Sequence, residues 1–106
     1  MAQQKHLQEW NLQSVHVGQA FLGVPSPNFR RVTLDYDGEQ WVVDVVLEHE
    51  DATDFEEVEE FAFAWEVLLS GRENYFVRTI VEAGPLPWPE HPRRVLYQRR
   101  ENYPLD

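Results

Sequence analysis

The apolar residues of this chain change period along its length, and the changes mark its elements. From about Leu7 to Leu22, Leu7, Trp10, Val17 and Phe21 recur at helical spacing with Ser14 on the same stripe, which predicts a helix beginning between Leu7 and Ser14. Gly23 suits its C-terminal cap, and Pro25 and Pro27 forbid continuation. In "FRRVTLDYDGEQWVVDVVLE", Val32, Leu34 and Tyr36 alternate with Arg31, Thr33 and Asp35, the period-two mark of a half-buried strand. Asp37-Gly38 signals a hairpin, because glycine accepts the positive φ of a tight turn. The return strand carries Trp41, Val43, Val45 and Leu47 on one face, with Val42, Asp44, Val46 and Glu48 on the other.

A second helix follows. Thr53 and Glu56 have capping-box spacing, and Phe55, Val58, Ala62, Trp65 and Leu69 form its core-facing stripe until Gly71 ends it. "NYFVRTIVE" predicts a third strand, with Tyr75, Val77, Thr79 and Val81 on one side and Phe76 and Ile80 on the other. "AGPLPWPEHP" is too proline-dense to pair inside a sheet, and "RRVLYQRR" predicts a short edge strand flanked by arginine. The order α-β-β-α-β-β implies an α+β fold, two helices packed on one face of a small, mainly antiparallel four-stranded sheet. The third strand can lie beside the first, antiparallel, or beside the second through a right-handed crossover. One domain over residues 1–106 is expected, with 1–6 and 101–106 as loose tails.

Composition narrows the function. An apolar content of 42% and fourteen aromatic residues (four Trp, four Tyr, six Phe) argue for a packed core despite a formal charge of -10. The absence of cysteine removes disulfides, thiol nucleophiles and thiolate metal sites and fits a reducing cytoplasm. The longest span without Asp, Glu, Lys or Arg runs from Trp10 to Phe29, and its Asn, Gln, His and Pro residues bar it from a bilayer. With no secretory signal in view, a soluble cytoplasmic protein is expected.

The charge is unevenly placed. Thirteen acids and no Lys or Arg lie between Val32 and Gly71, and six arginines against five acids follow from Arg72 on. The segment "EHEDATDFEEVEEF", Glu48 to Phe61, holds eight carboxylates and no basic residue. Acids in the first turns of a helix favour its dipole, which explains part of the run. A negative field repels nucleic acid and anionic lipid, so neither is an expected direct partner, and it attracts basic proteins.

Catalytic and metal chemistry find no footing. Glu48, His49 and Glu50 at a strand end point alternately and cannot easily converge on a metal ion, while His6, His16 and His91 share no ligand spacing. Ser14, Ser26 and Ser70 lie in no nucleophile elbow, and the five glycines form neither a P-loop nor a dinucleotide fingerprint. Equivalent acids on an exposed helix lack the contrast that acid–base catalysis needs. The expected catalytic, metal and cofactor sets are therefore empty. The second half of the acidic helix, "FAFAWEVLL", is apolar almost all round, which favours burial on several sides; alternatively Phe63 and Val67 form an exposed centre rimmed by Glu56 and Glu60.

The stretch "FLGVPSPNFRRVTLDYDGEQWVVDVVLE", with Leu22, Gly23, Ser26, Pro27 and Asn28 at its head, resembles small bacterial immunity proteins of contact-dependent growth inhibition and other polymorphic toxin systems. That resemblance implies a cytoplasmic, stoichiometric inhibitor dedicated to one toxin. The physical reading joins it: an acidic face made by Asp44, Glu48, Glu50, Asp51, Asp54, Glu56, Glu57, Glu59, Glu60 and Phe63 is expected to bind a basic toxin domain, plausibly a nuclease, with the inhibitor a monomer or weak homodimer. Two other readings use the same residues differently. One is a nucleic-acid mimic that inhibits a defence nuclease, with carboxylates along an extended ridge. The other is a small ligand-binding domain with a pocket under the proline loop formed by Trp88, His91 and Tyr97.

Overall fold

The computed structural model describes residues 5–101. Its elements run α1 (Leu7–Ala20), β1 (Phe29–Tyr36), β2 (Trp41–Leu47), α2 (Ala52–Leu69), β3 (Tyr75–Val81) and β4 (Arg94–Gln98). Of the expected tails, residues 1–4 and 102–106 lie outside the described residues. At their inner ends, Lys5 pairs with Glu73 and Glu101 with Arg30.

The four strands form one sheet in the order β3-β2-β1-β4. β1 pairs antiparallel with both β2 and β4, while β2 and β3 are parallel, Trp41 opposite Tyr75 through Leu47 opposite Val81. The sheet is therefore mixed rather than mainly antiparallel. The reason is α2. A rod of eighteen residues carries the chain back along the length of β2, so β3 starts at the end where β2 started. Of the two placements open to the third strand, the one beside the second is observed.

The hairpin between β1 and β2 is closed by the Asp37 N–H to the Gln40 carbonyl at 3.1 Å, with Gly38 at φ 100°. The Asp37 carboxylate accepts from the Glu39 and Gln40 N–H groups, both at 2.9 Å. Both helices cover one face of the sheet. Trp10 and Val17 of α1, Phe21 at its C-cap, and Val58, Phe61, Trp65 and Leu69 of α2 meet Val32, Leu34, Trp41, Val43, Val45 and Leu47. Aromatic edges fix the contacts: Phe21 meets Phe61 edge-on at 5.4 Å, and Trp10 meets Trp41 at 5.2 Å.

Details of the predicted stripes change. Leu7 is exposed, and Gln13 is buried in α1 instead, its Oε1 accepting the Trp65 indole N–H at 3.0 Å. The N-cap of α2 is Asp51, whose side chain accepts from the Asp54 N–H, rather than Thr53. Phe61 belongs to the core stripe. The helix ends at Ser70 in the left-handed region, φ 56°, followed by Gly71 at φ 71°.

β1 is not half-buried, because Arg31 and Thr33, on the side away from the helices, are buried as well. The arginines and the proline-rich segment cover that second face. Arg31 donates to the Gln98 side chain at 2.6 Å and to the Pro87 carbonyl at 2.7 Å, and its guanidinium lies 5.0 Å from the Trp88 ring centre. Among the described residues no helix is long and apolar enough to cross a membrane.

The Gln13–Trp65 bond locks α1 to α2 inside an apolar layer. Gln13→Met keeps the bulk but leaves the indole N–H unpaired, and should lower stability by about 1–2 kcal/mol in urea unfolding. A midpoint unchanged from the parent would show that the bond contributes nothing.

Candidate interaction surface

The acidic segment begins where β2 ends and is pinned there by one side chain. Asn28, in the turn before β1, donates from Nδ2 to the His49 carbonyl at 2.8 Å and to the Asp54 carboxylate at 2.9 Å. Its Oδ1 accepts the His49 N–H at 2.9 Å, and its backbone carbonyl accepts the Glu48 N–H at 2.9 Å. The strand end, the connecting loop and the first turn of α2 are thus fastened to a single residue. Within that turn the Asp51 carboxylate caps the helix.

The ten residues expected to form the binding face fall into three groups. Asp44 and Asp54 leave the surface, being 4% and 6% exposed. Asp44 lies on the sheet face without helices and accepts two bonds from Arg78, at 3.0 and 2.8 Å, with Arg93 3.7 Å away. These bonds hold the Arg78 guanidinium pKa above its ordinary value. Asp54 is the acceptor for Asn28. Both carboxylates serve the scaffold.

Glu48 is half-buried and paired. Arg99 donates to it at 2.7 Å, while also donating to the Pro27 carbonyl at 2.8 Å, and the His49 Nε2 lies 2.8 Å from its other oxygen. The hydrogen bond from Arg99 is the main reason its carboxyl is held below the ordinary range.

The third group stands outward. Glu50, Asp51, Glu56, Glu59, Glu60 and Phe63 are exposed and Glu57 is half-buried. Among the described residues none of the six acids in this group forms an ion pair with Lys or Arg. Phe63 is 67% exposed and Val67 60%. The expected burial of the helix's second half on several sides is therefore overturned. The proline segment lies across the other face of the sheet, through Arg31 and Trp88, and α1 covers only one flank of α2.

The outward acids are concentrated at one end of a helix, next to an apolar patch, and do not form a long ridge of regularly spaced charge. The aromatic pocket expected under the proline loop does not form. Trp88 is exposed and lies against Arg31, while Tyr97 packs against Phe21 on the helix side of the sheet. A mainly apolar groove of about 240 Å³ runs between the end of α1 and β4, lined by Phe21, Leu22, Leu96 and Tyr97. No group of three His, Cys, Asp or Glu residues able to hold a metal ion occurs among the described residues.

The positive residues behave oppositely to the acids. Arg30 is clasped by Glu101 with two bonds of 2.8 Å, Arg93 reaches Asp35 at 3.2 Å, and Arg94 donates to Asn11 at 2.9 Å and lies 5.4 Å from the Trp10 ring centre. With Arg31, Arg78 and Arg99, six arginines are tied into the scaffold. Arg72 and Arg100 are exposed, and the densest group of acids without Lys or Arg partners among the described residues lies at the start of α2.

Two outcomes are expected from these geometries. Arg78→Ala strands Asp44 in a buried position and should cost about 2 kcal/mol, whereas the double change Asp44→Val with Arg78→Leu should recover most of that loss in urea unfolding. Glu48, with its folded-state pKa depressed, contributes stability that is complete above its unfolded value and fades as pH falls through the lower folded value. The stability gap between parent and Glu48→Gln should thus be present above the ordinary carboxylate range and shrink as pH falls below it. A gap that widens on acidification would contradict the pairing.

A family model described as MafI2 immunity protein matches residues 8–101. No curated protein matches the chain.

Proposed function

The chain belongs to the MafI2 immunity protein family, and from that membership we propose that it neutralises one cognate toxin domain by binding it through the outward acids of α2. The toxin domain is basic, and a nuclease is the activity that best explains such a charge. The inhibitor works in the cytoplasm, as part of a contact-dependent or related polymorphic toxin system, as a stoichiometric binder that makes and breaks no bonds. One observation carries the choice of surface: Glu50, Asp51, Glu56, Glu57, Glu59 and Glu60 gather without cationic partners beside an exposed phenylalanine, while six arginines are held by the scaffold.

Each element has a physical task. Uncompensated carboxylates steer a positively charged partner from a distance and raise its association rate. A nuclease cleft is lined with cations because it must hold phosphates, and a rigid cluster of carboxylates competes for the same cations. Asn28 and Asp51 hold that cluster in place before contact, so little ordering is lost on binding. Asp44, Glu48 and Asp54 support the surface from within.

The test uses the cognate toxin domain, made catalytically inert. Changing Glu56, Glu57, Glu59 and Glu60 together to Gln should slow association at least about tenfold at low salt and flatten its salt dependence. It should also weaken protection of cells that express the active toxin. Association at the parental rate, with the parental salt slope, would remove this surface from the function.

A further inference from the structure

We propose that α2 enters the toxin lengthwise, as a single helix laid in a groove, with Phe63 and Val67 seated in an apolar pocket at the far end from the acids. The proposal rests on the toxin-binding reading above and adds the shape of the complementary site. Successive residues of a helix turn by about 100°, which puts Glu56, Glu60, Phe63 and Val67 within an arc of about 60°. At about 1.5 Å per residue the four span about 16 Å along the axis, carboxylates first and apolar groups last. Glu59 and Glu66, also exposed, flank the stripe on one side.

Nothing among the described residues accounts for the two apolar members. The core face of α2 is complete without them, filled by Val58, Phe61, Trp65 and Leu69. Phe63 three residues beyond Glu60, and Val67 four beyond Phe63, continue the outward stripe, and spacings of this kind recur where a helix lies in a partner's groove. The exposed Leu12, Val15 and Leu22 on and after α1 adjoin a single acid of that helix, Glu9, which is paired with Lys5. Charge decides the occupant. Only a positively charged surface can lie against Glu56, Glu59 and Glu60 without repulsion, so the groove has a cationic mouth and an apolar pocket about 10 Å further along the helix, the distance from Glu56 to Phe63.

The two halves do different work. Exposed ion pairs are screened by salt and govern encounter, whereas an aromatic side chain buried in a pocket governs how long the complex lasts. The kinetics of three variants of the full chain with the inert toxin domain separate them. Phe63→Ala with Val67→Ala should dissociate at least about tenfold faster, with association rate, salt slope and thermal midpoint unchanged. Glu56→Gln with Glu60→Gln should show the reverse pattern. Leu12→Ala with Val15→Ala, on the outer side of α1, should match the parent in every respect.

Parental dissociation of the Phe63/Val67 variant, alongside slowed association of the acid variant, would overturn the groove and pocket and leave the acidic surface standing. Parental kinetics in both α2 variants would overturn the underlying reading as well. Faster dissociation of the Leu12/Val15 variant alone would move the contact to α1 and defeat the proposal.

Discussion

The side-chain amide of Asn28 is the junction on which the presentation of α2 depends. It takes the His49 backbone as both donor and acceptor and donates to the Asp54 carboxylate as well, so one group fixes the end of β2, the loop and the first helical turn. A helix fastened at its start can still roll about its axis. The Trp65–Gln13 bond, three turns further on, removes that freedom. With both points held, the outward direction of every residue between them follows from the helical repeat. The acidic end is therefore a rigid feature although it lies on the surface.

A second constraint comes from having helices on only one side of the sheet. Asp44 sits at the middle of a central strand on the side without helices, buried where a carboxylate without partners would be costly. Arg78 on the parallel neighbour and Arg93 before the edge strand supply the partners. The same device recurs around Arg30, Arg31 and Arg99, each bonded to backbone carbonyls as well as to side chains. Guanidinium groups suit this role because their planar fork satisfies several acceptors at once. Charge is thereby sorted by position: Arg30, Arg31 and Arg99 hold the proline segment and Glu101 on the sheet, and Glu50, Asp51, Glu56, Glu59 and Glu60 face outward.

Much of this was legible in the residues. The hairpin around Asp37-Gly38, the two helices, the four strands and the edge position of the last one follow from periodicity and turn chemistry. The parallel pairing did not, because both placements of β3 bury the same faces and only the course of α2 decides between them. Nor could a linear reading tell a scaffold acid from a free one. Asp44 and Asp54 look like their neighbours in sequence, and their roles come from Arg78 and Asn28, thirty-four and twenty-six positions away. Asp44 did leave a trace, as a charged residue inside an otherwise apolar strand. Phe63 and Val67 seemed destined for the core because the run "FAFAWEVLL" is apolar on all sides. The structure has too few layers to enclose it: with one helix beside α2 and none above, a stripe remains open.

The exposed phenylalanine carries a hazard that its setting answers. A bare aromatic ring on a small protein invites two copies to stick by their greasy spots and then to precipitate. Here the approach of one α2 to another would push Glu56, Glu59, Glu60 and Glu66 of each against their counterparts before the rings could touch. The border of carboxylates thus acts as a filter, setting a repulsive toll on the approach of an identical face that it does not set on a body of opposite sign.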